Sequence, residues 1–99
     1  MAKTGRKERS LALYETILKL KSPEECCKFF DDLCTPVELR AMEQRFEVAR
    51  LLNAGHIYNE ILETTGASSA TVARVNRCMQ YGAEGYNNVL QQLEDDTAP

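Results

Sequence analysis

The 99-residue sequence has no tryptophan, a single histidine and no long apolar run. Each shortage removes a class of protein. No segment approaches the roughly 20 consecutive apolar residues that cross a bilayer, and no signal-peptide core opens the chain, so a cytoplasmic protein without a membrane partner is expected. Cys26, Cys27, Cys34 and Cys78 make neither a CxxC pair nor a Cys/His zinc spacing. Three of them fall on apolar helix faces; they read as buried free thiols, and no metal site is expected. His56 follows a glycine at a helix end, where a loop or cap role suits it better than catalysis. Asp31-Asp32 and Glu24-Glu25 read as solvated helix residues. With no nucleophile, acid–base pair or metal set at a recognisable spacing, no catalytic residue is nominated, an enzyme is not expected and no cofactor is required. The formal net charge of −3 argues against a non-specific polycation.

That charge is unevenly spread. Lys3, Arg6, Lys7 and Arg9 stand against Glu8 alone at the start, and Glu94, Asp95 and Asp96 make the end acidic. Residues 1–9 are read as a flexible basic arm and 95–99 as an acidic tail, around one domain over 10–94. At 43% apolar content the chain can build one small core and not a second.

The apolar residues repeat with helical period throughout, and no stretch alternates with period two long enough for a strand. Leu11, Leu13, Tyr14, Ile17, Leu18 and Leu20 form a first helix with an apolar stripe wide enough to be covered from two sides. Ser22-Pro23-Glu24-Glu25 supplies an N-cap, a first-turn proline and a capping-box glutamate for a second helix carrying Cys26, Cys27, Phe29, Phe30, Leu33 and Cys34. Thr35-Pro36-Val37-Glu38 repeats the signal and opens the longest helix, with Leu39, Met42, Phe46, Ala49 and Leu52 inward and Gly55 as its stop. A last helix from about Ala83 to Leu93 presents Tyr86, Val89, Leu90 and Leu93. Six helices with short connections predict an all-α domain.

Between the third and last helices, residues 57–81 carry the pattern of a helix-turn-helix. Gly66 falls ninth from Tyr58, where the turn needs positive φ. Ile61, Leu62, Val72 and Val75 stand where the two helices would face each other. Leu62, fifth in the unit, occupies a place where close helix approach favours a small residue. Ser68 or Ser69 can cap the second helix, whose outer surface then offers Ser69, Ala70, Thr71, Ala73, Arg74 and Arg77. Small residues at its front let the backbone approach base edges, and hydroxyl and guanidinium groups suit phosphate oxygens. Between Gly66 and Gly82 there are two arginines and no carboxylate. The expected partner is double-stranded DNA, with Asn59, Ser69, Ala70, Thr71 and Ala73 at base edges, Arg74 and Arg77 on phosphates, and Ser68 also among the DNA-binding residues. The bland reading of the same pattern is an αα-hairpin with a solvated polar face.

The segments Cys34-Thr35-Pro36-Val37-Glu38-Leu39, Arg45 with Glu47-Val48-Ala49-Arg50-Leu51-Leu52, and Thr65 to Cys78 make the chain resemble the Trp repressor family from about Leu11 to Leu90. The phrases FFDDLCT and TGASSATVARVNRC, with the following YG, are most similar to its YerC/YecD-like group. The resemblance implies an intertwined homodimer, helix-turn-helix heads flanking a shared helical core, and a sequence-specific transcriptional regulator acting as a repressor. It also implies a small-molecule corepressor pocket, since Arg45 and Arg74 match the arginines that sandwich the repressor's indole ligand and Thr35 matches a pocket threonine. Two departures tell against L-tryptophan itself. Val75 replaces a glycine beside the indole, and Cys78 replaces a serine that holds the ligand's amino acid group. Asn59 replaces a DNA-reaching arginine, so the target sequence should differ. The alternative reading is a protein-interaction module that keeps the fold and has little DNA affinity.

Overall fold

The computed structural model describes residues 9–97. The described residues form six helices and no strand: α1 Leu11–Ile17, α2 Pro23–Leu33, α3 Pro36–Asn53, α4 Tyr58–Thr65, α5 Ser69–Tyr81 and α6 Gly85–Thr97. No helix among them is long and apolar enough to cross a membrane. The basic arm, apart from Arg9, lies outside the described residues, as do positions 98 and 99. Contacts divide the described residues into two compact units, one ending at Pro36 and one beginning at Val37.

In the first unit, α2 starts as its sequence dictates. The Ser22 hydroxyl accepts from the Glu25 N–H at 3.1 Å, and proline fills the first turn where no N–H is needed. The Glu25 carboxylate completes the cap one residue further out than expected, accepting from the Lys21 N–H at 3.0 Å. Phe29 and Phe30 meet edge to face with centroids 5.4 Å apart. Neither α1 nor α2 contains a buried residue. Leu18 is 83% exposed and Leu11 64%.

Two boundaries in this unit differ from the sequence reading. The first helix stops at Ile17, and residues 18–20 leave it through tighter turns in which Lys19 N–H reaches Thr16 O and Leu20 N–H reaches Ile17 O. Cys34 is extended rather than helical: it is the C-cap of α2, its N–H on Phe30 O, and the helix ends at Leu33. The thiols are not buried as expected: Cys27 and Cys78 are exposed and Cys26 and Cys34 half-buried, all four free.

The second unit holds the core. Val48 and Ala49 of α3, Ile61 of α4, Ala67 of the turn, Val72 and Val75 of α5 and Leu90 of α6 form one buried cluster, with Leu51, Leu52, Leu62, Met79 and Tyr86 packed around it. Met42 and Phe46, expected inward, stay more than a third exposed, because they lie further toward the start of α3 than the part that meets the cluster. The bonds Gly55 N–H to Leu52 O and His56 N–H to Leu51 O close the end of α3, with Gly55 at φ +90°. The Asn53 amide then reaches Glu94 of α6 at 2.8 Å.

The start of α6 is set by its approach from α5. Gly82 ends α5 with its N–H on Cys78 O, and a Cβ there would collide with that carbonyl. Glu84 adopts φ +71°, unusual for a residue with a side chain. The helix therefore begins at Gly85, later than Ala83. It also runs past Leu93, carried by bonds such as Gln91 to Asp95 and Thr97 to Leu93 O, so Asp95 and Asp96 are helical rather than tail.

Candidate nucleic-acid interface

The helix-turn-helix pattern folds as its spacing requires. Ile61, Val72 and Val75 are fully buried between α4 and α5, and Leu62 packs at their edge as a half-buried side chain. Gly66 takes φ +71°, ψ +8°, with its N–H on Leu62 O. A Cβ at Gly66 would meet nothing within 4 Å, so the demand for glycine comes from the backbone alone. Gly66→Ala is expected to destabilise the fold by about 1–2 kcal/mol, the penalty of the left-handed region, read from a urea melt.

Side chains around the turn fix it further. The Thr65 hydroxyl donates to Ile61 O at 2.7 Å and accepts from the Ala67 N–H at 3.1 Å. From α3, the Gln44 amide donates to Thr65 O at 3.2 Å. These bonds satisfy polar groups of the turn backbone and tie it to the long helix. At the end of α5 the Asn87 amide donates to Met79 O at 2.8 Å, anchoring the last turn to α6. The second helix is thus held at both ends.

Ser68, rather than Ser69, caps α5. Its hydroxyl accepts from the Thr71 N–H at 3.1 Å and donates to Thr71 Oγ1 at 3.0 Å. Both hydroxyls are thereby engaged within the first turn, and Thr71 is half-buried. Ser69, Ala70, Ala73, Arg74 and Arg77 are exposed, as is Asn59 in the first turn of α4. The N–H groups of Ser69 and Ala70 belong to the helix start, where no intrahelical acceptor exists.

Four of these exposed residues share one feature. Ala70, Ala73, Arg74 and Arg77 line an open concavity of about 340 Å³, with two methyl groups beside two guanidiniums. Such a surface can receive an anionic backbone and admit a close approach to base edges.

The residues nominated for a ligand pocket are distributed differently. Arg74 lines the concavity, whereas Cys78, one turn on, is exposed and does not. Arg45 is exposed on α3, and Thr35 is exposed in the loop before it, within the first unit. Val75 is 1% exposed, its side chain part of the core.

Sequence reasoning passed over Gln44, Thr65, Ala67 and Asn87. Ala67, only 6% exposed, could have been found as the apolar residue directly after the turn glycine. The polar bonds of Gln44 and Asn87 span 21 and eight residues and leave no local signal.

This all-helical arrangement, a helix-turn-helix built onto a long helix and followed by one more, defines a Trp repressor-like fold. The chain belongs to the Trp repressor family: the family model described as Trp repressor protein matches residues 8–94. It is 48% identical to the Bacillus subtilis (strain 168) protein YerC over 83 residues, covering 84% of this chain and 80% of that one. Among solved structures, a TrpR like protein from Eubacterium eligens ATCC 27750 superposes with a TM-score of 0.82 at 45% identity, over 85% of this chain and 87% of that one. A candidate Trp repressor from Staphylococcus aureus gives the same TM-score at 40% identity, over 87% and 89%. The 48% identity over most of both chains accords with the YerC/YecD-like branch of the family.

Proposed function

We propose that the chain is a sequence-specific DNA-binding regulator of transcription, acting as a homodimeric repressor that presents α5 of each protomer to the major groove. The observation that carries this reading is the outer face of α5, where two arginines and two alanines form an acid-free concavity on a helix fixed at both ends. Ser69, Ala70 and Ala73 approach base edges, with Asn59 beside them from α4. Arg74 and Arg77 hold phosphate oxygens. Ser68 and Thr71 act indirectly, by fixing the first turn whose free N–H groups favour an anion.

What the single chain leaves uncovered supports the dimer reading. Leu11, Tyr14, Leu18 and Leu33 are large apolar side chains exposed on α1, just after it and on α2. A second copy would cover them, and a two-fold axis would match the two heads to a two-fold DNA site. Leu18→Ala is expected to raise the dimer dissociation constant about thirtyfold, because roughly 1 kcal/mol of lost burial counts once per protomer. Sedimentation equilibrium over a concentration series measures it, and an unchanged constant would remove Leu18 from the interface.

A small-molecule corepressor is compatible with the exposed guanidiniums of Arg45 and Arg74, which favour a planar or anionic ligand. L-Tryptophan is not that ligand in this reading, because the Val75 side chain fills the place a glycine would leave for an indole. Fluorescence titration of L-tryptophan tests this directly, since the chain has no tryptophan of its own to add background; micromolar binding would overturn it. The DNA-binding reading is tested by titrating labelled duplexes at about 0.1 M salt, where affinity must fall as salt rises. Absence of any salt-dependent binding would favour a protein-interaction module on the same fold.

A further inference from the structure

Tyr81, the last residue of α5, is 82% exposed, an unusual setting for a large aromatic side chain. Its position is fixed by the surrounding backbone. The next residue, Gly82, donates its N–H to Cys78 O at 2.9 Å and tolerates no Cβ there, while Asn87 holds Met79 O. The final turn of α5 is therefore tied down on both sides of Tyr81, and the ring is displayed from a rigid end.

Helical geometry places Tyr81 on the arginine face. At 100° per residue it lies about 20° from Arg74 and Ala70 around the helix axis, and about 40° from Arg77. Tyr81 thus shares the angular sector of the two arginines, just beyond the concavity they line with Ala70 and Ala73. The carboxylate next in sequence, that of Glu84, sits near the Asn87 amide at 3.3 Å and is drawn toward α6. No carboxylate lies between Tyr81 and the start of α5.

Length decides what Tyr81 would meet. Ser69 and Tyr81 are separated by about 18 Å along the axis at 1.5 Å per residue, and the major groove is about 12 Å wide. With the Ser69 end in the groove, the Tyr81 end lies at the groove's edge, where the sugar–phosphate chain runs. A phenol is a neutral hydrogen-bond donor that phosphate oxygens accept.

Resting on the DNA-binding reading, we infer that Tyr81 is a backbone-contact residue, donating its hydroxyl to a phosphate at the rim of the groove and resting its ring on the adjacent sugar. This contact positions α5 along the duplex and carries no base information. Because the donor is uncharged, it releases no counterion and should leave the salt dependence of binding unaltered.

The test compares wild type, Tyr81→Phe, Tyr81→Ala and Arg77→Ala by fluorescence anisotropy. Two labelled duplexes of equal length are used, one carrying a site selected by the wild-type protein and one unrelated in sequence, over a salt series. Tyr81→Phe is expected to lose about fivefold to tenfold in affinity on both duplexes with an unchanged salt slope, and Tyr81→Ala more. Arg77→Ala should instead lower the slope. Thermal melts accompany each variant, and the exposed phenol predicts wild-type stability for Tyr81→Phe. Equal binding by Tyr81→Phe and wild type overturns the inference, as does a loss confined to the selected site, which would mean base reading. An affinity loss explained wholly by a weaker dimer also overturns it. If wild type binds neither duplex, the DNA-binding reading fails and takes the Tyr81 assignment with it.

Discussion

Replacing Arg74 and Arg77 together with alanine is expected to lower DNA affinity by about three orders of magnitude at 0.1 M salt and to flatten its salt dependence. The arithmetic follows from two-fold symmetry. Two arginines per head, each on one phosphate, make four contacts in a dimer, and each is worth about 1 kcal/mol and about 0.9 in the slope of log K against log salt. The slope should thus fall in magnitude by about 3.6. Both guanidiniums lie on the exposed outer face of α5, and among the described residues no ion pair engages either one. Their removal should leave the melting transition in place, which separates this result from unfolding. A variant that binds as wild type with the same slope would mean that the concavity of Ala70, Ala73, Arg74 and Arg77 faces something other than DNA.

The second large effect lies behind that surface. Ile61→Ala is expected to destabilise the protein by about 3–4 kcal/mol, because a fully buried side chain is cut back and the space it leaves cannot collapse. Ile61 belongs to the cluster of Val48, Ala49, Val72, Val75 and Leu90, so one truncation loosens contacts with three other helices at once. For a chain of this size the loss should lower the melting temperature by more than about 10 °C. DNA binding should fall with it, since the angle between α4 and α5 is held by the same side chains. The contrast is Leu18→Ala: that side chain is 83% exposed in the single chain, so its removal should leave the melt of the isolated chain nearly unchanged. A small shift for Ile61→Ala would place the energetic centre of the protein elsewhere, most directly across the dimer.

The course of the chain was largely legible in its sequence because the signals were local. Ser22-Pro23 and Thr35-Pro36 announced two helix starts, Gly55 and Gly66 two stops, and the apolar period gave every helix between. The helix-turn-helix was read from Gly66 and the four apolar positions around it, three of which are fully buried. The boundaries of α6 were misplaced because they depend on the backbone geometry of Gly82 and Glu84, and a positive φ at a glutamate leaves no mark in sequence. Burial was legible only where one chain provides its own cover. Val48 is wholly buried though it was left off the expected stripe, while Phe46 and the four thiols are more open than their apolar surroundings suggested.

The candidate site was legible in composition and less so in role. Arg74 and Arg77 stand on the exposed face as the spacing implied, but the Ser68 hydroxyl is spent on the Thr71 N–H rather than offered outward. Tyr81 was passed over because an aromatic residue at a helix end reads as core from sequence, and only its exposure shows otherwise. Gln44 holds the end of α4 before the turn and Asn87 the last turn of α5, through single bonds between elements that no periodicity records.

The measurement that tests the central claim most directly is selection of DNA fragments from a random pool by the purified protein at about 0.1 M salt, beside the Arg74/Arg77 double alanine variant. The account predicts that wild type enriches a two-fold symmetric site whose half-sites lie about one helical turn or a multiple apart, and that the variant enriches none. Failure of wild type to enrich any sequence, with and without added small planar anions, would contradict it.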